Sequence, residues 1–226
     1  MTTHEIAFGF GYLGAALGVA MVVPQIVRIV RHPSLPGVSP ISWALTVFGC
    51  LLWFTYGLRS GALPQIPGNV LLIGGATAVV LLMKSPTSRV RRGVLLALGA
   101  GLLEATASVI PTQGIGYVAF GVGTVSTWPQ LYDSIGNWRG HINSGVSLST
   151  WGLRIASQVC WLTYGLGTSD LPVGIGASVA LLTGIAMVTL ESAARAPSFG
   201  SARVITETAQ EPTPLRLTQT AYAIDC

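Results

Sequence analysis

Charge is the scarcest commodity in this chain. Only 9% of its 226 residues are Asp, Glu, Lys or Arg, against roughly 25% in a soluble domain. So few charges cannot cover a water-facing surface, which excludes an ordinary soluble globule and leaves lipid as the solvent for most of the chain. Cysteine is sparse too: Cys50, Cys160 and Cys226 are too scattered for a disulfide framework or a metal cluster, and Cys50 and Cys160 read as small hydrophobes. The three histidines, His4, His32 and His141, lie in the N-terminal segment and in loops, without metal-ligand spacing. A Ser-His-Asp set and a phosphate-cradling glycine loop are also missing. No enzyme, cofactor or metal is therefore expected. The first apolar run follows Met1-Thr2-Thr3-His4-Glu5-Ile6, with no basic residue ahead of it, so the start does not read as a cleaved signal peptide. Sustained apolar/polar alternation is absent as well, which argues against barrel strands.

What is present is apolar. Half of the residues are hydrophobic and the mean hydropathy is +0.63. Seven stretches, 6–30, 41–58, 63–83, 94–110, 115–135, 146–166 and 171–190, each approach the ~20 residues that cross a bilayer as a helix. The sixth is the weakest, because it contains Arg154 and Gln158. Arg28 and Arg31 follow the first stretch, Lys84, Arg89, Arg91 and Arg92 the third, and Arg139 the fifth; Arg195, Arg203 and Arg216 lie in the tail. Only Arg59 falls in the loops of the other side. The positive-inside rule then puts the N-terminus outside and the C-terminus in the cytoplasm. The net charge of +4 reflects this topology and implies no nucleic-acid partner.

The chain is also written twice. Pro24-Gln25, Gly37-Val38-Ser39, Trp43, Trp53-Phe54-Thr55-Tyr56-Gly57 and Leu63-Pro64 recur in order as Pro129-Gln130, Gly145-Val146-Ser147, Trp151, Trp161-Leu162-Thr163-Tyr164-Gly165 and Leu171-Pro172. The predicted organisation is all-α and transmembrane: a three-helix repeat over 6–84, a linker helix over 93–111, a second three-helix repeat over 114–191 and a disordered cytoplasmic tail over 192–226. An odd number of helices per repeat requires the extra crossing if both repeats are to run parallel, about an axis along the membrane normal.

A Pro-Gln late in the first helix of each triplet, a Gly-Val-Ser before the second and a Trp-x-x-Tyr-Gly at its end resemble the PQ-loop superfamily. Within it, residues 7–190 are most similar to the SWEET and SemiSWEET sugar facilitators. That resemblance implies a multi-pass protein of the plasma membrane that moves a small polar solute, a mono- or disaccharide, by alternating access around a central pocket. Its partners are the bilayer and the solute; homo-oligomerisation is left open. A proton-coupled amino-acid exporter of the cystinosin-like type, working through Glu104 or Asp133, and a non-transporting receptor or scaffold are the alternatives.

Several residues stand out against this pattern. Pro24 and Pro129 each remove a helical hydrogen bond, and with Gln25 and Gln130 they form candidate hinges. In the family a Trp and an Asn sixteen residues apart line the sugar pocket, which implies that role for Trp53 and Asn69. In the second copy Trp161 is followed sixteen residues on by Ala177, with Ser178 beside it, so the expected pocket is lopsided. Arg59 has no counterpart in the second copy, nor Asp170 in the first. By analogy with single-triplet relatives, Arg59 and Asp170 are expected to close an outer gate under the lids Tyr56 and Tyr164. Asp133 and Arg154, both placed toward the cytoplasmic side, are expected to form an inner ion pair.

Overall fold

The computed structural model describes residues 2–31, 40–82, 87–140 and 147–195. They form seven α-helices and, among the described residues, no strand: α1 (Thr3–Arg31), α2 (Pro40–Ser60), α3 (Gln65–Leu82), α4 (Arg89–Val109), α5 (Thr112–Gly140), α6 (Leu148–Thr168) and α7 (Leu171–Arg195). Each predicted stretch corresponds to one helix. The tail expected from 192 is corrected in one respect, since α7 continues to Arg195. Residues beyond 195, the Gly37-Val38-Ser39 segment and Gly145-Val146 lie outside the described residues. Residues 3–23 of α1, together with α3, α4 and α7, are long and apolar enough to cross a membrane on length and composition alone. The protein is an integral membrane protein.

Local chemistry sets the helix boundaries. The Ser147 hydroxyl accepts from the Thr150 amide at 3.3 Å and starts α6; Ser88 does the same for α4 through the Arg91 amide. Such caps satisfy donors that a helix cannot satisfy internally. The turns after α2 and α6 are built alike, with a positive φ at equivalent positions: 75° at Gly61 and 56° at Ser169. Glycine fits the left-handed region without strain, whereas the second copy places a serine there.

Six helices close a ring. α1 packs on α3 and α6, α2 on α3 and α5, and α7 on α5 and α6. Exchanging α1 with α5, α2 with α6 and α3 with α7 maps this ring onto itself. The match extends to single atoms. A methyl group placed on Gly11 would lie 2.8 Å from both Pro64 and the Tyr164 ring; one on Gly116 would lie 2.6 Å from Pro172 and 2.9 Å from the Tyr56 ring. At both places glycine lets a proline of one triplet and a tyrosine of the other approach one helix axis. Tyr56, Tyr164, Pro64 and Pro172 are all fully buried in this layer.

The helix α4 stands outside the ring, against α2 and α3. Polar contacts at three levels hold it among the described residues. At its start Arg92 donates to the carbonyls of Val80 and Leu81 at the end of α3. In its middle the Glu104 carboxylate accepts from the Thr55 hydroxyl at 2.8 and 2.9 Å. At its end the Arg59 guanidinium donates to the Ala107 carbonyl at 2.8 Å. The outer face of α4 is apolar and exposed (Val90, Leu98, Leu102 and Val109), as a lipid-facing surface requires.

Candidate functional site

A cavity of about 200 Å³ lies inside the ring. Its lining repeats with the sequence. Gly14, Ala15 and Gly18 of α1 match Ala119, Phe120 and Gly123 of α5; Trp53 of α2 matches Trp161 of α6; Gly68 and Asn69 of α3 match Gly176 and Ala177 of α7. Gly14, Ala15 and Gly18 on α1 and Ala119 and Gly123 on α5 leave the space, and Phe120 and the two indoles border it. The structure thus brings Trp53, Asn69, Trp161 and Ala177 to one cavity.

Each indole is held by the tyrosine one turn along its helix. Trp53 meets Tyr56 edge-on at 5.8 Å and 84°, and Trp161 meets Tyr164 at 5.7 Å and 88°. T-shaped contacts of this kind are favourable aromatic geometry. Phe8 adds an edge contact to Tyr164 at 5.6 Å. Tyr56, Tyr164, Pro64 and Pro172 are fully buried, and the cavity residues Gln65 and Val173 on the same helix starts are buried too, so the cavity is shut at that end. Toward the opposite end its walls are more open: Gly18, Thr124 and Arg154 are half-buried and Gly123 is exposed.

Polarity is distributed unevenly around the cavity. Gln65 and Asn69 on α3, and Arg154 and Gln158 on α6, all line it. Their equivalents are Val173, Ala177, Thr46 and Cys50. Because α3 and α6 both flank α1, these four polar side chains border the glycine-lined α1 wall, while the α5 and α7 walls are apolar except for Thr124. Gln65 is only 3% exposed, and neither its Nε2 nor its Oε1 has a hydrogen-bond partner. Asn69 donates one amide hydrogen to the Gln65 carbonyl at 2.7 Å. The Arg154 guanidinium sits 5.1 Å from the Trp151 ring centre, a cation–π distance, and its Nε lacks a partner.

Other expectations are corrected. Ser178 does not line the cavity; its hydroxyl turns back to the Gly174 carbonyl at 2.8 Å, as serine commonly does within a helix. Arg59 and Asp170 do not pair. Arg59 serves the carbonyl end of α4, where a cation suits the helix dipole. Asp170 instead accepts from the Tyr56 hydroxyl at 2.7 Å and from the Val173 amide at 3.2 Å, so one carboxylate both ties the two halves together and caps α7. Asp133 and Arg154 do not pair either: Asp133 is exposed on α5, and α7 stands between α5 and α6 in the ring. The acid that is buried at that end is Glu191, which accepts from the Ser134 hydroxyl at 2.6 Å and lies 3.7 Å from Arg195. The helical backbone runs through both candidate hinges, and Gln130 is exposed; the side chains of Pro24, Gln25 and Pro129 lie outside the described residues.

Gln65 is a polar cavity residue that the sequence did not single out, and Arg154 lines the cavity instead of pairing with Asp133. Gln65 occupies a position that is valine in the second copy, and that difference was the available signal.

A ring of six helices around an internal cavity, with long apolar spans in α1, α3, α4 and α7, defines the class, an integral membrane protein. The PQ loop repeat family model matches residues 6–66. The sugar transporter SemiSWEET of Leptospira biflexa is 30% identical over 70 residues, covering 31% of this chain and 82% of that protein. Its namesake in Bradyrhizobium diazoefficiens is 32% identical over 77 residues, covering 33% and 85%. A solved structure of a eukaryotic SWEET transporter superposes with a TM-score of 0.73 at 17% identity, over 86% of this chain and 99% of that one, and so shares the fold. The chain belongs to the SWEET and SemiSWEET family of PQ-loop proteins, transporters rather than enzymes.

Proposed function

We propose that this protein is a facilitator that carries a sugar across the plasma membrane by alternating access, with the cavity between Trp53 and Trp161 as its binding site. The carrying observation is that two indoles and a set of amide side chains border one cavity. An indole face packs on the C–H face of a sugar ring, while Asn and Gln amides both donate to and accept from hydroxyls. The relatives' activity on sugars supports the solute class. A volume near 200 Å³ falls below the roughly 300–1,000 Å³ of pockets for drug-sized ligands, and favours one sugar ring over two.

The ring's self-matching supports the reading as two parallel triplets joined by α4, and the placement of the basic residues supports the Asp170 end outside with the C-terminus in the cytoplasm. On that reading the conformation described is closed outside, sealed by Tyr56, Tyr164, Pro64 and Pro172 and latched by Tyr56–Asp170. Bending of α1 and α5 at Pro24–Gln25 and Pro129–Gln130 would then move the opposite ends. Among the described residues no acid lines the cavity, which leaves the proton-coupled exporter without support from the site. Glu104 is accounted for by its hydrogen bond on α4, and an unfilled centre speaks against a scaffold.

The test is uptake of labelled hexoses by proteoliposomes. Asn69→Ala removes an amide that meets hydroxyls, a loss expected to lower kcat/KM about tenfold or more. Trp53→Ala removes a wall of the site and is expected to lower it further. Unchanged hexose flux in both variants, with protein incorporated normally, would contradict the assignment of the pocket.

A further inference from the structure

The cavity holds a cation and, among the described residues, no anion. Every described acid is placed elsewhere. Glu5 bonds to the Thr2 amide at the start of α1, Glu104 bonds to Thr55, Asp133 is exposed on α5, Asp170 holds Tyr56 and Glu191 holds Ser134. None lies within ion-pair distance of Arg154 among the described residues. A charged side chain at membrane depth normally finds a partner or a wet cavity. Arg154 finds a cavity wall, and Trp151 steadies its guanidinium from one face. Its position is held by threonine in the first copy, so the repeat does not require a cation there.

The second observation is Gln65, on the neighbouring polar wall. It is only 3% exposed, it lines the same cavity, and both of its amide atoms lack partners. Buried polar groups are hydrogen-bonded in the great majority of cases, so this amide points to a polar ligand. Gln158 lies one turn from Arg154 on the same helix and lines the cavity too.

We infer that the preferred solute is a sugar acid, a hexose-sized ring carrying one carboxylate, with the carboxylate held by Arg154 and the hydroxyls by Gln65, Asn69 and Gln158. This rests on the sugar-carrier reading and specifies its substrate class. Guanidinium geometry matches a carboxylate through two parallel hydrogen bonds. A lone arginine neutralises a monoanion; a sugar phosphate, near two negative charges at neutral pH, would leave charge uncompensated in the cavity. The α5 and α7 walls and the two indoles face the ring's C–H surfaces. The asymmetry between the copies thereby acquires a role, since both polar walls come from the helices that flank α1.

Proteoliposome uptake of labelled glucuronate, glucose and glucose 6-phosphate tests this. Wild type is expected to carry glucuronate with a kcat/KM about tenfold or more above that for glucose. In Arg154→Gln the glucuronate-to-glucose ratio should fall by a similar factor, and Arg154→Lys should retain part of it. Competition needs no variant: unlabelled glucuronate should inhibit glucose uptake by wild type at concentrations well below those at which glucose inhibits it. An unchanged ratio in Arg154→Gln, or failure of glucuronate to compete, overturns the inference, and so does a preference for glucose 6-phosphate over glucuronate. If glucose is carried in a Trp53-dependent way and glucuronate is not, only this inference falls. If no sugar of any charge is carried, the underlying reading falls with it.

Discussion

Replacing Asp170 by alanine is expected to destabilise the protein by about 2–4 kcal/mol, because one carboxylate serves two groups at once. As a helix cap for the Val173 amide it contributes about 0.5–2 kcal/mol. As acceptor for the Tyr56 hydroxyl it prevents a buried donor from going unsatisfied, a loss of about 1–3 kcal/mol; Tyr56 is only 1% exposed, so water does not substitute. Tyr56→Phe removes donor and demand together and leaves the cap in place, so it should cost less than Asp170→Ala. Arg59→Ala should leave the pair untouched, since Arg59 is bonded to Ala107. Thermal unfolding in detergent of the three variants checks the order: a drop for Arg59→Ala as large as that for Asp170→Ala would mean that the two charges do cooperate.

The glycines beneath the prolines are the second place where one atom decides. Gly116→Ala puts a methyl group 2.6 Å from Pro172 and 2.9 Å from the Tyr56 ring. The proline is rigid and the tyrosine is tied to Asp170, so neither can swing aside as a flexible side chain would. Overpacking of this kind costs about 1–3 kcal/mol. Gly11→Ala meets Pro64 and Tyr164 in the same way and should behave alike. By contrast Gly121, five residues further along α5, has nothing within 4 Å of an added methyl. There the helix propensity of alanine should stabilise by up to ~1 kcal/mol. Melting temperatures should therefore fall for Gly11→Ala and Gly116→Ala and hold or rise for Gly121→Ala; equal shifts at all three would remove the tight packing from the account.

The two copies in sequence led directly to the ring, because a repeat of three apolar stretches has few ways to bury its inner faces other than against its twin. Trp53 and Asn69 could be named in advance because the resemblance to the SWEET and SemiSWEET facilitators implied a Trp and an Asn at that spacing, and the repeat carried the same spacing to Trp161 and Ala177. Charged contacts were less legible, for a geometric reason. Asp133 and Arg154 were matched by depth, but depth along a helix says nothing about which face a side chain occupies or which helices are neighbours. Arg59 and Asp170 were matched because each lacks a counterpart, yet Arg59 answers to α4, which stands outside the ring. Gln65 escaped notice as a residue at the very start of α3, and the burial of an unpartnered amide there is visible only once α1 and α3 are packed. The Pro-Gln pairs remain a sequence-level proposal: the helices run on through them.

Locking the Asp170 end tests the account most directly. Leu63, in the turn before α3, and Leu171, the first residue of α7, are equivalent and exposed by 53% and 63% at that end. In a background without the three native cysteines, Leu63→Cys with Leu171→Cys can be bridged by a reducible bifunctional thiol reagent. The prediction is that the bridged protein loses sugar flux and recovers it on reduction, while either single cysteine variant treated the same way is unaffected. Full flux through a protein shown to be bridged would contradict alternating access at this end and, with it, the function proposed for the cavity.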